Sequence, residues 1–355
     1  MKNIIQICPT FPPNIGGVGY YAKTLSDYLK KKKIKSIIFI SDYLDNKNNK
    51  QIIFGKKNKN LHSLLEKNNS QNVILHYSGY GYASRGLCFS LINSLEKWKQ
   101  KKSNSKLIVI FHEIYATGPF YRMSFWTSFF QKYLAKKLFE LSDISIVTSK
   151  QNKSILSSLN KKKKIIYTNV FSNVGELKKN KKIKNRKNKA IIFGNIYQKK
   201  ILYKDILLNI NKYEVLLKKM SINEIIDIGP KVDISKSIFF KNININSIGI
   251  KSKSYISNLL KNSKVGLVFY PVGQMTKSGI VAAYASHGLV IINCCKEGTS
   301  RSNEFISGFN YVSKVGSNLR NIMQKISNES YKSYNKYALN RTASLIMNNL
   351  RNNLN

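Results

Sequence analysis

Asn3-Ile4-Ile5-Gln6-Ile7-Cys8, then Pro9 to Pro13, then Asn14-Ile15-Gly16-Gly17-Val18-Gly19-Tyr20-Tyr21-Ala22: this stretch decides the fold. A short apolar run closed by prolines and glycines and followed at once by a helical pattern reads as a buried parallel strand turning into a helix. Such a turn leaves backbone N–H groups and a positive helix end facing the crevice above the sheet, where a phosphorylated ligand would lie. The spacing is not G-x-G-x-x-G, so a glycine turn with a purely structural role is the competing reading.

The alternation continues along the chain, as in a doubly wound parallel sheet. Strands are expected at Ile4–Cys8, Ser36–Ser41, Val73–Tyr77, Leu107–His112, Ile144–Thr148 and Ile165–Thr168, with helices such as Tyr20–Lys33 and Ser124–Leu141 between them. Residues 178–189 form a charged run with almost nothing to bury, which reads as an exposed basic linker. A second series follows, with strands at Ala190–Gly194, Glu224–Gly229, Ile243–Ile248, Val265–Tyr270 and Leu289–Asn293. The expected organisation is therefore a first domain over 1–177, the linker, a second domain over 190–330, and a C-terminal helix over 331–355 that packs back on the first domain. Two sheets of one type joined by one linker imply a cleft between them.

The 355 residues suit two domains, and their 43% hydrophobic content is ample for two cores. The net charge of +43 points to anionic partners, either an anionic lipid surface or a phosphorylated acceptor. Lysine and asparagine are frequent even in linker-like segments, so compositional drift is the competing account. Without a nucleic-acid module signature, nucleic acid is not an expected partner. Cys8, Cys88, Cys294 and Cys295 form no C-x-x-C pair and have no histidine at metal-ligand spacing, so no metal is expected. No apolar stretch approaches the roughly 20 residues that span a bilayer. The expected location is the cytoplasm, with peripheral contact at the inner face of the cytoplasmic membrane.

The motif Pro-Pro-x-x-Gly-Gly-Val-Gly-x-x-Ala, Pro12 to Ala22, and a small-residue helix leading into Gly288-Leu289-Val290-Ile291-Ile292 resemble the GT-B glycosyltransferases, specifically the family 4-like group (glycosyl transferases group 1). The resemblance implies an α/β, GT-B-like fold of two doubly wound Rossmann-like domains facing across a cleft. It implies an acceptor-binding first domain and a nucleotide-sugar-binding second domain. The reaction would be retaining sugar transfer to a glycan or lipid-linked acceptor in cell-surface polysaccharide synthesis, with no metal and no other cofactor. A nucleotide-sugar epimerase of the same fold, and a non-catalytic binding subunit derived from a glycosyltransferase, are the alternatives.

On the donor side, Lys277, Ser278 and Gly279 precede the small-residue helix, whose start suits a pyrophosphate. Ser278 also fits a plain helix N-cap. Many members of the family carry two glutamates seven residues apart here; this chain holds Met275 and Ala283, which reads as divergence of the donor site. After the strand ending Phe193-Gly194-Asn195, Lys204 is the best match to a second phosphate contact, with Lys199 and Lys200 as substitutes for a family arginine; solvated surface charge is the bland account of each. Gly16, Gly17 and Glu304 complete the donor candidates.

On the other side, His112 and Glu113 end a strand at the carboxyl edge, where ligand-binding residues gather, and with Lys277 they are the catalytic candidates. Tyr80, Tyr82 and Arg85 lie in a loop of tyrosines and glycines that suits sugar rings and an acceptor phosphate or carboxylate, with a tyrosine-rich packing loop as the competing reading, and Tyr115 and Arg122 extend the acceptor set. Aromatic residues and cations alternate from Tyr121 to Lys137, the pattern of a membrane-interface contact or of a helix facing the interdomain core.

Overall fold

The computed structural model describes residues 3–14, 16–41, 52–54, 60–68, 72–102, 104–116, 121, 123–234, 238, 240–241, 243–295, 304–313 and 319–351. They fall into two compact units, Met1–Asn169 with Leu339–Asn355, and Val170–Ala338.

The first unit carries strands β1 (Ile4–Cys8), β2 (Ser36–Ser41), β3 (Ile52–Phe54), β4 (Asn72–Tyr77), β5 (Lys106–Phe111), β6 (Ile144–Val147) and β7 (Ile165–Tyr167). Its helices are α1 (Gly17–Lys31), α2 (Leu61–Lys67), α3 (Phe89–Lys101), α4 (Met123–Leu141) and α5 (Lys150–Leu159). All pairings are parallel, in the order β3-β2-β1-β4-β5-β6-β7. The direction of winding reverses between β1 and β4, and the loops leaving those strands flank that switch point. Strand β1 is buried at all five positions, as a central parallel strand covered on both faces must be. The edge strand β3 is three residues long and carries no period that a sequence reading can register.

The second unit carries β8 (Lys187–Phe193), β9 (Glu224–Ile228), β10 (Asn244–Gly249), β11 (Ser263–Val268) and β12 (Val290–Asn293), with helices α6 (Ile196–Leu208), α7 (Ile210–Lys219), α8 (Lys253–Asn262), α9 (Gly279–Ser286) and α10 (Leu319–Asn335). The order β10-β9-β8-β11-β12 is again parallel, and its switch point lies between β8 and β11. Among its buried residues, Tyr284 ties helix α9 to the sheet. Gly266 leaves room for the Tyr284 ring, which a Cβ at that position would meet at 2.3 Å, and the Tyr284 hydroxyl donates to the Ile191 carbonyl of β8 at 3.0 Å.

The chain boundaries differ from those expected. The charged run 178–189 lies inside the second unit, because its polarity is not uniform: Ile183 and Arg186, three apart, are both buried. The Arg186 guanidinium donates to the carbonyls of Lys181, Ser263 and His287 and to Asn180 Oδ1, at 2.8–3.1 Å, clamping the run to the start of the sheet. The return to the first unit begins at Leu339, not at 331. Helix α10 packs on α9 and β12, while α11 (Leu339–Arg351) packs against α1, and Lys106 Nζ donates to the Asn349 carbonyl at 3.0 Å.

Candidate functional site

In the second unit, the loops leaving β8 and β11 and the starts of α6 and α9 meet at the β8/β11 switch point. A Cβ on Gly194, just past β8, would approach the Ile280 side chain of α9 to 2.8 Å, so the β8 loop and the start of α9 lie in close contact. Both helices begin on their own side-chain caps: Asn195 Oδ1 accepts from Gln198 N at 2.9 Å, and Ser278 Oγ accepts from Val281 N at 3.2 Å. Neither has an acidic residue in its first turn, which leaves the positive helix ends uncancelled. Lys277, half-buried, closes the 3₁₀ turn Val272–Lys277 and directly precedes the Ser278 cap and Gly279.

A residue that sequence reading missed holds this loop. Asn293, buried at the end of β12, accepts from Tyr270 N at 3.0 Å and donates to the Tyr270 carbonyl at 2.8 Å and to Met275 Sδ at 3.5 Å. Met275 and Ala283 are themselves buried, so the two positions matched to family glutamates are packing positions in this chain.

The lysines after β8 divide by helix face. Residues 199, 202, 203 and 206 are the buried face of α6. Lys199 is 2% exposed, forms an ion pair with Asp227 of β9, and donates to the Pro230 carbonyl at 2.6 Å, so its charge is spent inside the fold and it is withdrawn as a phosphate contact. Lys200 and Lys204 are exposed, and Lys204 sits about 12 Å along the axis from the helix start. The structure thus does not gather Lys204 with Lys277 and the helix ends. Glu304 is half-buried and near Tyr337.

In the first unit, Gly16 precedes α1 as a cap without a side chain. Cβ atoms at Gly16 and Gly19 would meet Thr10 at 2.9 and 2.7 Å, whereas one at Gly17 would meet nothing within 4 Å. Gly16 and Gly19 therefore pack against Thr10, and Gly17 lies clear of it.

His112 directly follows β5 and belongs to a polar chain that no spacing in the sequence announces. Gln6 Nε2 donates to Ser36 Oγ at 2.7 Å, its Oε1 lies 2.9 Å from His76 Nε2, and His76 Nδ1 lies 3.4 Å from His112 Nε2. Four strands or strand ends, β2, β1, β4 and β5, contribute one member each. Burial, and next the His112 ring, push the fully buried His76 well below the usual imidazole range, so it is neutral. This network assigns a proton to His76 Nε2, facing Gln6, and makes Nδ1 the acceptor for His112 Nε2–H. Tyr21 of α1 stands edge-on to both rings, at 5.7 and 5.0 Å between centroids.

Glu113 is exposed, and its Oε2 accepts from Ser78 Oγ at 2.6 Å. Tyr80 is 43% exposed, and its hydroxyl accepts from Gln131 Nε2 at 3.1 Å. Arg85 is exposed at a left-handed φ of 55°, and its carbonyl accepts from the same Gln131 nitrogen. Tyr115 is half-buried against the core. Tyr82 is corrected: it is buried, and its hydroxyl donates to the carbonyls of Ile7 and His76 at 3.2 and 2.9 Å, tying β1 to β4 instead of meeting an acceptor. Arg122 lies outside the described residues.

Two buried imidazoles give stability a pH dependence. In the second unit His287 is fully buried among Ser257, Ser286 and the Ala283 carbonyl, and burial lowers its pKa to about 4. The unfolded chain protonates both histidines near the normal value of about 6.5 while the native fold does not. Stability is therefore expected to be full above about pH 7 and to fall as the pH drops, with the His287 share, about 3 kcal/mol, lost by about pH 4. Urea unfolding at stepped pH checks this; an unchanged free energy between pH 7 and 5 would exclude neutral buried imidazoles.

No protein-family model matches the chain, and no curated protein matches its sequence. Solved structures do match. An alpha-glucosyltransferase in complex with UDP aligns with TM-score 0.59 at 10% identity over 98% of this chain and 100% of that one. An alpha-glucosyltransferase in complex with UDP and a 13-mer DNA containing a HMU base aligns with TM-score 0.59 at 10% identity over 99% of both chains. A UDP-forming α,α-trehalose-phosphate synthase from Burkholderia xenovorans gives 0.58, 10% and 99% of both. The fold is accordingly α/β of the GT-B glycosyltransferase type.

Proposed function

We propose that the protein is a glycosyltransferase of the family 4-like kind, transferring a sugar from a nucleotide donor held by the second unit to a glycan or lipid-linked acceptor, with retention and without a metal. The observation that carries this reading is the β8/β11 switch point, where two helix starts without first-turn carboxylates converge beside Lys277. As the glycosidic bond breaks, negative charge develops on the leaving diphosphate. Donors already aimed at that charge lower the barrier without reorganising. Lys277 and the N–H groups at the start of α9 fill that role, and Ser278 fixes the helix start by capping it.

His112 and Glu113 serve the sugar and the attacking hydroxyl, with His76 as a positioning residue that sets the His112 tautomer. Tyr80, Arg85 and Tyr115 supply the acceptor side. The solved relatives bound to UDP support a uridine donor as the first to try. A ligand at 100 times its dissociation constant stabilises the native state by about 2.7 kcal/mol. UDP and UDP-glucose are therefore expected to raise the melting temperature, and UDP-, GDP-, ADP- and CMP-sugars compared side by side identify the base. If none of them shifts the transition, the donor-site reading is wrong.

A further inference from the structure

Helix α4 has two unlike faces. Its inner face joins the core through Leu134, Ala135, Leu138 and Phe139. It also carries Gln131, 2% exposed, whose Oε1 accepts from Ala116 N at 2.7 Å and whose Nε2 donates to the Tyr80 hydroxyl and the Arg85 carbonyl. The outer face of its first half is aromatic: Phe125, Trp126, Phe129, Phe130 and Tyr133 are 44–74% exposed. Phe125 and Trp126 meet edge to face at 5.6 Å, and Phe129 and Phe130 at 5.7 Å, so the exposed rings stand as two contacting pairs one helical turn apart. Residues 125, 129 and 133 recur at four-residue spacing, and exposed Lys132 and Lys136 follow on the same side of the helix. No helix among the described residues is long and apolar enough to cross a membrane.

Large exposed apolar patches mark contacts with something that removes them from water. The charge of the chain selects that partner. At +43, two copies brought face to face would repel, whereas an anionic surface would be attracted. A nucleic-acid duplex offers phosphates but no apolar layer for Phe129 and Trp126. An anionic bilayer offers both, at the depth at which aromatic side chains partition.

We propose that α4 is a bilayer-docking element: its aromatic half enters the boundary between headgroups and acyl chains of an anionic membrane, while Lys132 and Lys136 lie at the lipid phosphates. Because Gln131 on the opposite face holds Tyr80, Arg85 and Ala116, docking sets the acceptor loops at the membrane surface, where a lipid-linked acceptor is presented. The docking itself stands on α4 and is independent of which sugar is transferred.

The chain carries its own probe. It has two tryptophans, of which Trp98 is fully buried and Trp126 is 66% exposed. In the Trp98→Phe protein, emission is expected to move to shorter wavelength on adding vesicles of mixed phosphatidylcholine and phosphatidylglycerol, and not with phosphatidylcholine alone. Phe125→Ser with Phe129→Ser is expected to lower co-sedimentation with the mixed vesicles by more than about tenfold. The thermal response to UDP should survive, since both rings belong to the first unit and the donor candidates to the second; this separates failure of docking from failure of the transferase reading. Should Trp98→Phe prove unstable, co-sedimentation of the otherwise unaltered chain supplies the same comparison. Three results would each overturn the proposal: no emission change with mixed vesicles, a shift that appears without vesicles together with a dimer mass, or a shift with oligothymidylate but not with vesicles.

Discussion

Lys199→Met is expected to cost about 3–5 kcal/mol of folding stability, the range found when one member of a buried ion pair is removed. The lysine and Asp227 are 2% and 0% exposed, so the carboxylate left behind has no water to replace its partner. Ser247 Oγ, at 3.2 Å from Asp227 Oδ2, is too weak a donor to substitute for a cation. The double variant Lys199→Met, Asp227→Leu removes both charges and should recover much of the loss, because two matched apolar side chains avoid the desolvation cost altogether. Urea unfolding of the two singles and the double measures this cycle. A Lys199→Met protein of normal stability that no longer responds to nucleotides would instead make this lysine a phosphate ligand.

Lys277→Ala is expected to lower kcat for sugar transfer by about 10²–10³, the usual effect of deleting one preorganised donor to a developing negative charge. The folded state should be little altered, since Ser278 still caps α9 and Asn293 still grips Tyr270 and Met275. Lys277→Arg keeps the charge and should recover part of the rate, although a planar guanidinium does not reproduce a compact ammonium. Steady-state kinetics with a saturating UDP-sugar and circular dichroism of each variant give the comparison. Equal kcat in the alanine variant would move the catalytic charge elsewhere on the second unit; no transfer by the parent protein, with nucleotide binding intact, would favour the binding-subunit alternative.

Much of the architecture is legible in the chain. Eleven strands were expected, and each overlaps an observed one; the short edge strand Ile52–Phe54 was not among them. The apolar runs are local, and a parallel strand buried on both faces announces itself without reference to its partners. Ser278 as a helix cap was likewise readable, because a cap is decided by residues within a few positions.

The candidate sites were legible only in part, and the misses share a cause. Lys199 and Lys204 look alike in a lysine-rich sequence, but α6 turns the first toward the sheet and Asp227 and the second toward water. Tyr82 and Tyr80 stand two residues apart in one loop, yet one ties β1 to β4 and the other reaches Gln131 of α4. The chain Ser36, Gln6, His76, His112 joins four positions far apart in sequence through side chains on adjacent strands.

What the sequence determined by itself was the alternation of strand and helix, and with it two doubly wound parallel sheets, since hydrophobic period and turn chemistry act over a few residues. The tertiary structure alone decided which polar groups are spent inside the fold and which are left for a ligand. Burial, hydrogen-bond partners and the resulting charge states depend on strand order and helix rotation, and those are set by packing among segments tens to hundreds of residues apart.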